Sequence, residues 1–165
     1  MAYDTYTPLF SEVLNKVAKL KTKNEKIEHL RKYNNDSLRM IIKSSFDPKI
    51  EWELPEGDVP YTKNDAPEGT EHNVLAHESR KLYHFIRGGN PQITQNKREA
   101  MFVQMLESLH EDEATLLIAA KDKKLHQVYK GLSANVVKTA FNWTDEYMVE
   151  EVKYPQSSKA ASFPD

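Results

Sequence analysis

Cysteine is missing from all 165 residues. That excludes a disulfide frame, thiolate nucleophiles and cysteine-bound zinc, and it is compatible with a reducing cytoplasm. No apolar run approaches the roughly 20 residues that a membrane-spanning helix needs. The opening MAYDTYTPLF has no basic flank leading into an apolar stretch, so no secretory signal is expected and the chain reads as soluble and intracellular. No Gly-x-Ser-x-Gly elbow, phosphate-cradling glycine loop or dinucleotide fingerprint occurs. His72, His77 and His84 fall five and seven apart, not at the four-residue spacing of helical zinc ligands. No catalytic residue, metal or cofactor is therefore expected.

Charge is present, and it is unevenly spread. The formal net charge is −2 and the pI about 6.3, which excludes a globally basic nucleic-acid binder. Residues 10–45 hold nine Lys/Arg against four Asp/Glu, whereas residues 46–76 hold two against eight. Residues 77–143 hold ten against seven, and residues 144–165 hold two against five. Two basic regions are thus separated by an acidic one and followed by an acidic tail.

The apolar periodicity predicts an all-α domain of about seven helices over 7–143, then a polar, mobile tail over 144–165. Thr7 and Pro8 are expected to start the first helix, Thr22 and Glu25 to form a capping box for the second, and Asp36 to cap the third. Residues 47–71 have no helical period and carry Pro48, Pro55, Pro60 and Pro67; they read as a long acidic connection packed in extended form. Within it, Ile50 to Leu54 alternates as a short strand would. Thr70 is a candidate cap for the fourth helix, and Arg87-Gly88-Gly89-Asn90-Pro91 is a strong stop. Thr94, then Glu111 or Asp112, then Ser133 are expected to open the remaining helices. His110-Glu111-Asp112-Glu113 reads as an acidic helix start.

Two surfaces carry a possible chemistry. Lys121, Lys123, Lys124 and Lys130 lie just ahead of Gly131 and the capping Ser133. A helix N-terminus offers free N–H groups and partial positive charge, so cations beside it suit a phosphate. A solvated loop explains the same lysines, and spacing alone leaves both open. Arg87, Gly88, Gly89, Asn90, Thr94, Lys97 and Arg98 repeat the design. Cations in a first helical turn are slightly unfavourable for the helix itself, which hints at another purpose.

The segment SEVLNKVAKLKTKNEKIEHLRKYNNDSLRMIIKSSF (Ser11–Phe46) resembles the first helices of the N-terminal DNA-binding domain of ATP-dependent DNA ligases, especially those of T-even-like bacteriophages. EDEATLLIAAKDKKLHQVYKGLSANVVKTAF is similar to that domain's C-terminal part, where Gly-x-Ser opens the last helix; here these are Gly131, Leu132 and Ser133. The likeness covers most of 11–143 and leaves 47–71 aside. The whole chain also resembles a family of stand-alone proteins carried by marine T-even-like phages. The adenylation motif Lys-x-Asp-Gly is absent, and no length is left for the ligase catalytic domains.

The resemblance implies a helical module that grips the minor-groove side of duplex DNA through phosphate and sugar, with little sequence information. It implies that role for Lys121, Lys123, Lys124, Lys130, Gly131 and Ser133; the 87–98 surface joins on the physical argument. The expected function is a non-catalytic accessory of phage replication, repair or recombination in the host cytoplasm. The alternative is an adaptor that has lost DNA binding and engages a phage or host replication or transcription protein through the 47–71 loop or the tail.

Overall fold

The computed structural model describes residues 7–64 and 72–149. Among these the backbone forms eight α-helices and one 3-10 helix, with isolated β-bridges and no sheet. The all-α, single-core expectation stands; the helix count rises because short turns were not anticipated.

Helix α1 is Phe10–Lys19, α2 Lys23–Lys32 and α3 Asp36–Phe46. In α1 the residues Phe10, Val13, Leu14 and Val17 repeat at helical spacing and are buried together. Its start is two residues later than Thr7 and Pro8 suggest. Glu12 reaches back to accept the Leu9 amide at 2.7 Å, which fixes the first turn there. The Thr22–Glu25 capping box of α2 is present in both halves. The cap of α3 is Asn35, whose side chain accepts the Leu38 amide at 2.8 Å; Asp36 is the first helical residue instead. Both residue types suit the position, and only the backbone turn decides between them.

Residues 47–64 form a strap across the ends of the later helices. The Ile50–Leu54 alternation gives one antiparallel rung: Trp52 bridges Ile86, the Glu53 amide donates to the Phe85 carbonyl at 2.7 Å, and the Arg87 amide donates to Glu51 at 2.8 Å. Trp52, Leu54, Val59 and Tyr61 are half-buried against the core. The Trp52 indole N–H donates to the Ser44 carbonyl at 3.1 Å. The adaptor reading needs Trp52 and Tyr61 on display, and this packing leaves each of them half-exposed. The rest of the acidic connection, with the candidate cap Thr70, lies outside the described residues.

Helix α4, Leu75–Glu78, runs directly into the 3-10 helix Ser79–Phe85. A single α-helix through this region was the sequence expectation. The buried positions explain the change: Ser79, Leu82 and Phe85 recur every third residue, the repeat of a 3-10 helix. Gly88, at φ +86°, then turns the chain.

Helix α5 is Gln95–Ser108, capped by Thr94 as expected. Helix α6 is Glu111–Lys121. The His110 ring accepts the Asp112 amide at 3.1 Å, so the histidine supplies the cap and the acids occupy the first turn. Helix α7 is Leu125–Val128 and α8 Ala134–Phe141, the latter capped by Ser133. The tail expectation is corrected at its start: Thr144 donates to the Met148 carbonyl at 2.8 Å, and Tyr147 is buried beside Trp143. The acidic stretch from residue 150 onward is outside the described residues.

Helix α2 lies along α8, and α3 along α6. One carboxylate joins three further helix starts. Glu113, only 1% exposed, accepts the Phe10 amide at 3.0 Å and the Leu75 amide at 2.8 Å. The positive ends of α1 and α4 therefore meet the first turn of α6 at a single buried anion.

Candidate nucleic-acid interface

The lysines from 121 to 130 do not form one solvated loop. Lys121 ends α6 and is 4% exposed. Its ammonium lies 2.6 Å from the Pro55 carbonyl, 3.1 Å from that of Gly57 and 2.6 Å from Asp122 Oδ1. Asp122 in turn accepts the Gly57 amide at 3.1 Å. Lys123, at φ +60°, donates to the Asp47 carbonyl at 2.6 Å, and burial pushes its amine below the usual lysine value. Lys124 is exposed and sits 3.7 Å from Glu56. These three cations brace the strap, and Lys121 has no surface to offer a phosphate.

The 87–98 surface meets the other part of the same strap. Arg98 is buried; its guanidinium donates to the carbonyls of His84 at 2.9 Å and Asn90 at 3.0 Å, and to Gln95 at 2.6 Å. That explains a cation in the first turn of α5: it ties the preceding turn to the helix. Glu53 approaches it at 4.0 Å. Arg87 is exposed and pairs with Glu51 at 2.8 Å. The Asn90 amide is 2.8 Å from the His84 ring. Gly88 and Gly89 form the turn, Thr94 is used as a cap, and Lys97 is exposed.

Lys130, Gly131 and Ser133 are the exposed remainder of the first set. A neighbour that sequence reasoning missed gives them context. Lys26 is buried, donates to the Leu20 carbonyl, and fills the space that a Cβ on Gly131 would need. The α1–α2 turn therefore lies against the Lys130–Ser133 turn. Further along, Arg31 donates to the carbonyls of Thr139 at 2.9 Å and Ala140 at 3.2 Å, at the end of α8. Helices α2 and α8 thus run side by side in the same direction, with both N-termini at the end that carries Lys19, Lys21, Lys23 and Lys130. Among the described residues those four side chains make no hydrogen bond or ion pair. On α2, burial first, then Lys16 and Lys32, push the His29 ring below the usual histidine value. The net positive charge of residues 10–45 was visible in sequence; its meeting with Lys130 was not.

Gly131 is constrained twice, by φ +93° and by Lys26. Gly131→Ala is expected to lower unfolding free energy by about 1–3 kcal/mol. Urea denaturation checks this, with a null result meaning that the turn relaxes freely.

His72, His77 and His84 do not converge. His84 serves Asn90, and His72 packs edge-on to His110 at 5.4 Å. Among the described residues no group of three His, Asp or Glu side chains is placed to hold a metal ion, and no helix is long and apolar enough to cross a membrane. No curated protein and no solved structure matches the chain. Residues 13–127 match a family of unknown function, DUF6433; the match spans well over half of the chain, which therefore belongs to that family.

Proposed function

We propose that the protein binds duplex DNA through its sugar-phosphate backbone, on the minor-groove side and with little sequence preference. It would act as a non-catalytic accessory in phage replication, repair or recombination, inside the infected cell. The interface is the end of the molecule where α2 and α8 begin: Lys130, Gly131 and Ser133 with Lys19, Lys21 and Lys23. The observation that carries the reading is the seat of Lys26 beneath Gly131, which brings the two turns together. Four exposed cations flank two helix N-termini there, and α8 has no acid in its first turn. The ligase-like pattern of residues 11–46 and 111–141 supports duplex DNA as the ligand and the phage setting as the context. Lys121 and Arg98 leave the proposed contact set because their cations are buried and already bonded. Lys123 donates into the strap, and the acids Glu56 and Glu51 beside Lys124 and Arg87 oppose a polyanion.

The test is fluorescence anisotropy of a labelled duplex over a salt series. If about four phosphates are neutralised, log affinity should fall against log salt with a slope near −3.6. The triple variant Lys21→Glu/Lys23→Glu/Lys130→Glu should lose at least about tenfold at low salt and flatten that slope. Lys97→Glu, on the strap side, should change neither. Absence of duplex binding at low salt, or equal loss in both variants, would refute the interface.

A further inference from the structure

We propose that a groove between α3 and the 3-10 helix is a docking site for a short protein segment that carries one large apolar side chain beside a carboxylate. This goes beyond the DNA reading and uses a different surface.

The groove encloses about 450 Å³, within the range of pockets that take a ligand or an anchoring side chain. Its walls are apolar, with Leu82 and Ile86 on one side and Met40 on the other. Met40 is 46% exposed and Tyr83 51%, so both of these lining residues present apolar surface to solvent. Methionine adapts to varied apolar partners, and tyrosine is favoured as a binding anchor. Gly88 and Gly89 also line the groove, and a Cβ on Gly89 would collide with the Tyr83 carbonyl, so that position takes no side chain.

Charge selects the occupant. The charged residues that line the groove are Lys43 and Arg87, and no carboxylate lines it. Arg87 already holds Glu51, but both partners are well exposed, so an incoming carboxylate exchanges with Glu51 at little cost. Glu51 and Glu53 stand near enough to Arg87 to act on its charge. A nucleic-acid strand brings a phosphate at every step and is repelled by that pair. A peptide brings only one or two carboxylates next to its apolar anchor, so it meets far less of that repulsion than a strand does.

The experiment is a titration of the full-length, 15N-labelled chain with the blocked peptide Ser-Ala-Asp-Phe-Leu-Asp-Ala, followed by amide NMR. The expected result is saturable shifts of the Met40, Tyr83, Gly88 and Gly89 signals with Kd on the order of 0.1–1 mM. A control peptide with lysine in place of aspartate should bind at least about tenfold more weakly. Met40→Lys and Tyr83→Ser, at exposed positions where the fold tolerates them, should each weaken the aspartate peptide by at least about tenfold. Shifts confined to other residues, equal affinity for both peptides, or wild-type binding by both variants would overturn the proposal. So would shifts of the same amides that appear on concentrating the protein alone, which assign the groove to a second copy. Shifts of these amides on deleting residues 150–165 would likewise assign it to the chain's own tail, and a stronger response to a single-stranded thymidine oligonucleotide would assign it to nucleic acid.

Discussion

Lys121→Met is expected to cost about 3–5 kcal/mol in unfolding free energy, the range found when one partner of a buried ion pair is removed. Methionine matches the length of the lysine stem, so the loss falls on the ammonium. The change strands Asp122, whose side chain is 10% exposed, and leaves the Pro55 and Gly57 carbonyls without their donor. Surface lysine pairs are worth under about 1 kcal/mol, so the burial of this one decides the scale. Chemical denaturation measures the total. Limited proteolysis localises it: the strap around Pro55–Gly57 should become a cleavage site while α1 to α3 stay protected at moderate destabilisation. Lys124→Met, which removes only the exposed partner of Glu56, is the control and should cost under about 1 kcal/mol. Equal effects of the two variants would rule out the brace.

Glu113→Ala is expected to cost about 2–5 kcal/mol, because the Phe10 and Leu75 amides lose their acceptor inside the fold and each stranded donor costs about 1–3 kcal/mol. Glu113→Gln keeps one carbonyl oxygen but turns an NH2 group toward the other amide, so it should recover only part of that loss. The carboxyl also leaves a signature in the pH dependence. Burial is its largest influence and raises it above the usual 4.5, against the pull of the two amides. The folded chain therefore holds this proton to higher pH than the unfolded chain does. The group's linkage contribution is complete below about 4.5 and is lost as pH rises through the folded value. Stability measured across that window should fall with rising pH by an amount that Glu113→Gln abolishes. An unchanged pH profile in the glutamine variant would show that another group sets it.

Local chemistry was legible in the sequence, and distant chemistry was not. The Thr22–Glu25 box and the Thr94 and Ser133 caps stand because each cap hydroxyl and the amide that donates to it are three residues apart. The α1 start was misplaced because part of what fixes it, Glu113, lies 103 residues away. The helix after residue 75 departs from the expected repeat, since Leu75 and Leu82 fit an α-helix while Ser79, a polar residue, carries the first position of the 3-10 face. Lys121 and Lys130 look alike in sequence. One is buried against carbonyls 64 and 66 residues away, and the other stands exposed on Gly131. Acid and base counts located the strap's partners only in bulk. The pairing of Glu51 with Arg87 and of Glu56 with Lys124 depends on where the extended chain crosses the helices.

The side-by-side course of α2 and α8 has a consequence for synthesis. Arg31 meets carbonyls 108 and 109 residues ahead, and Phe10 meets Glu113. The first helices therefore leave the ribosome long before their packing partners exist. At about 5–20 residues per second, the apolar faces of α1 and α2 wait for roughly 5–20 s. During that interval Val13, Leu14, Val17, Ile27 and Leu30 have only each other to cover them. The lysines spread along the same two helices, Lys16 to Lys32, then keep the nascent segment charged and in solution until the last helix closes over it.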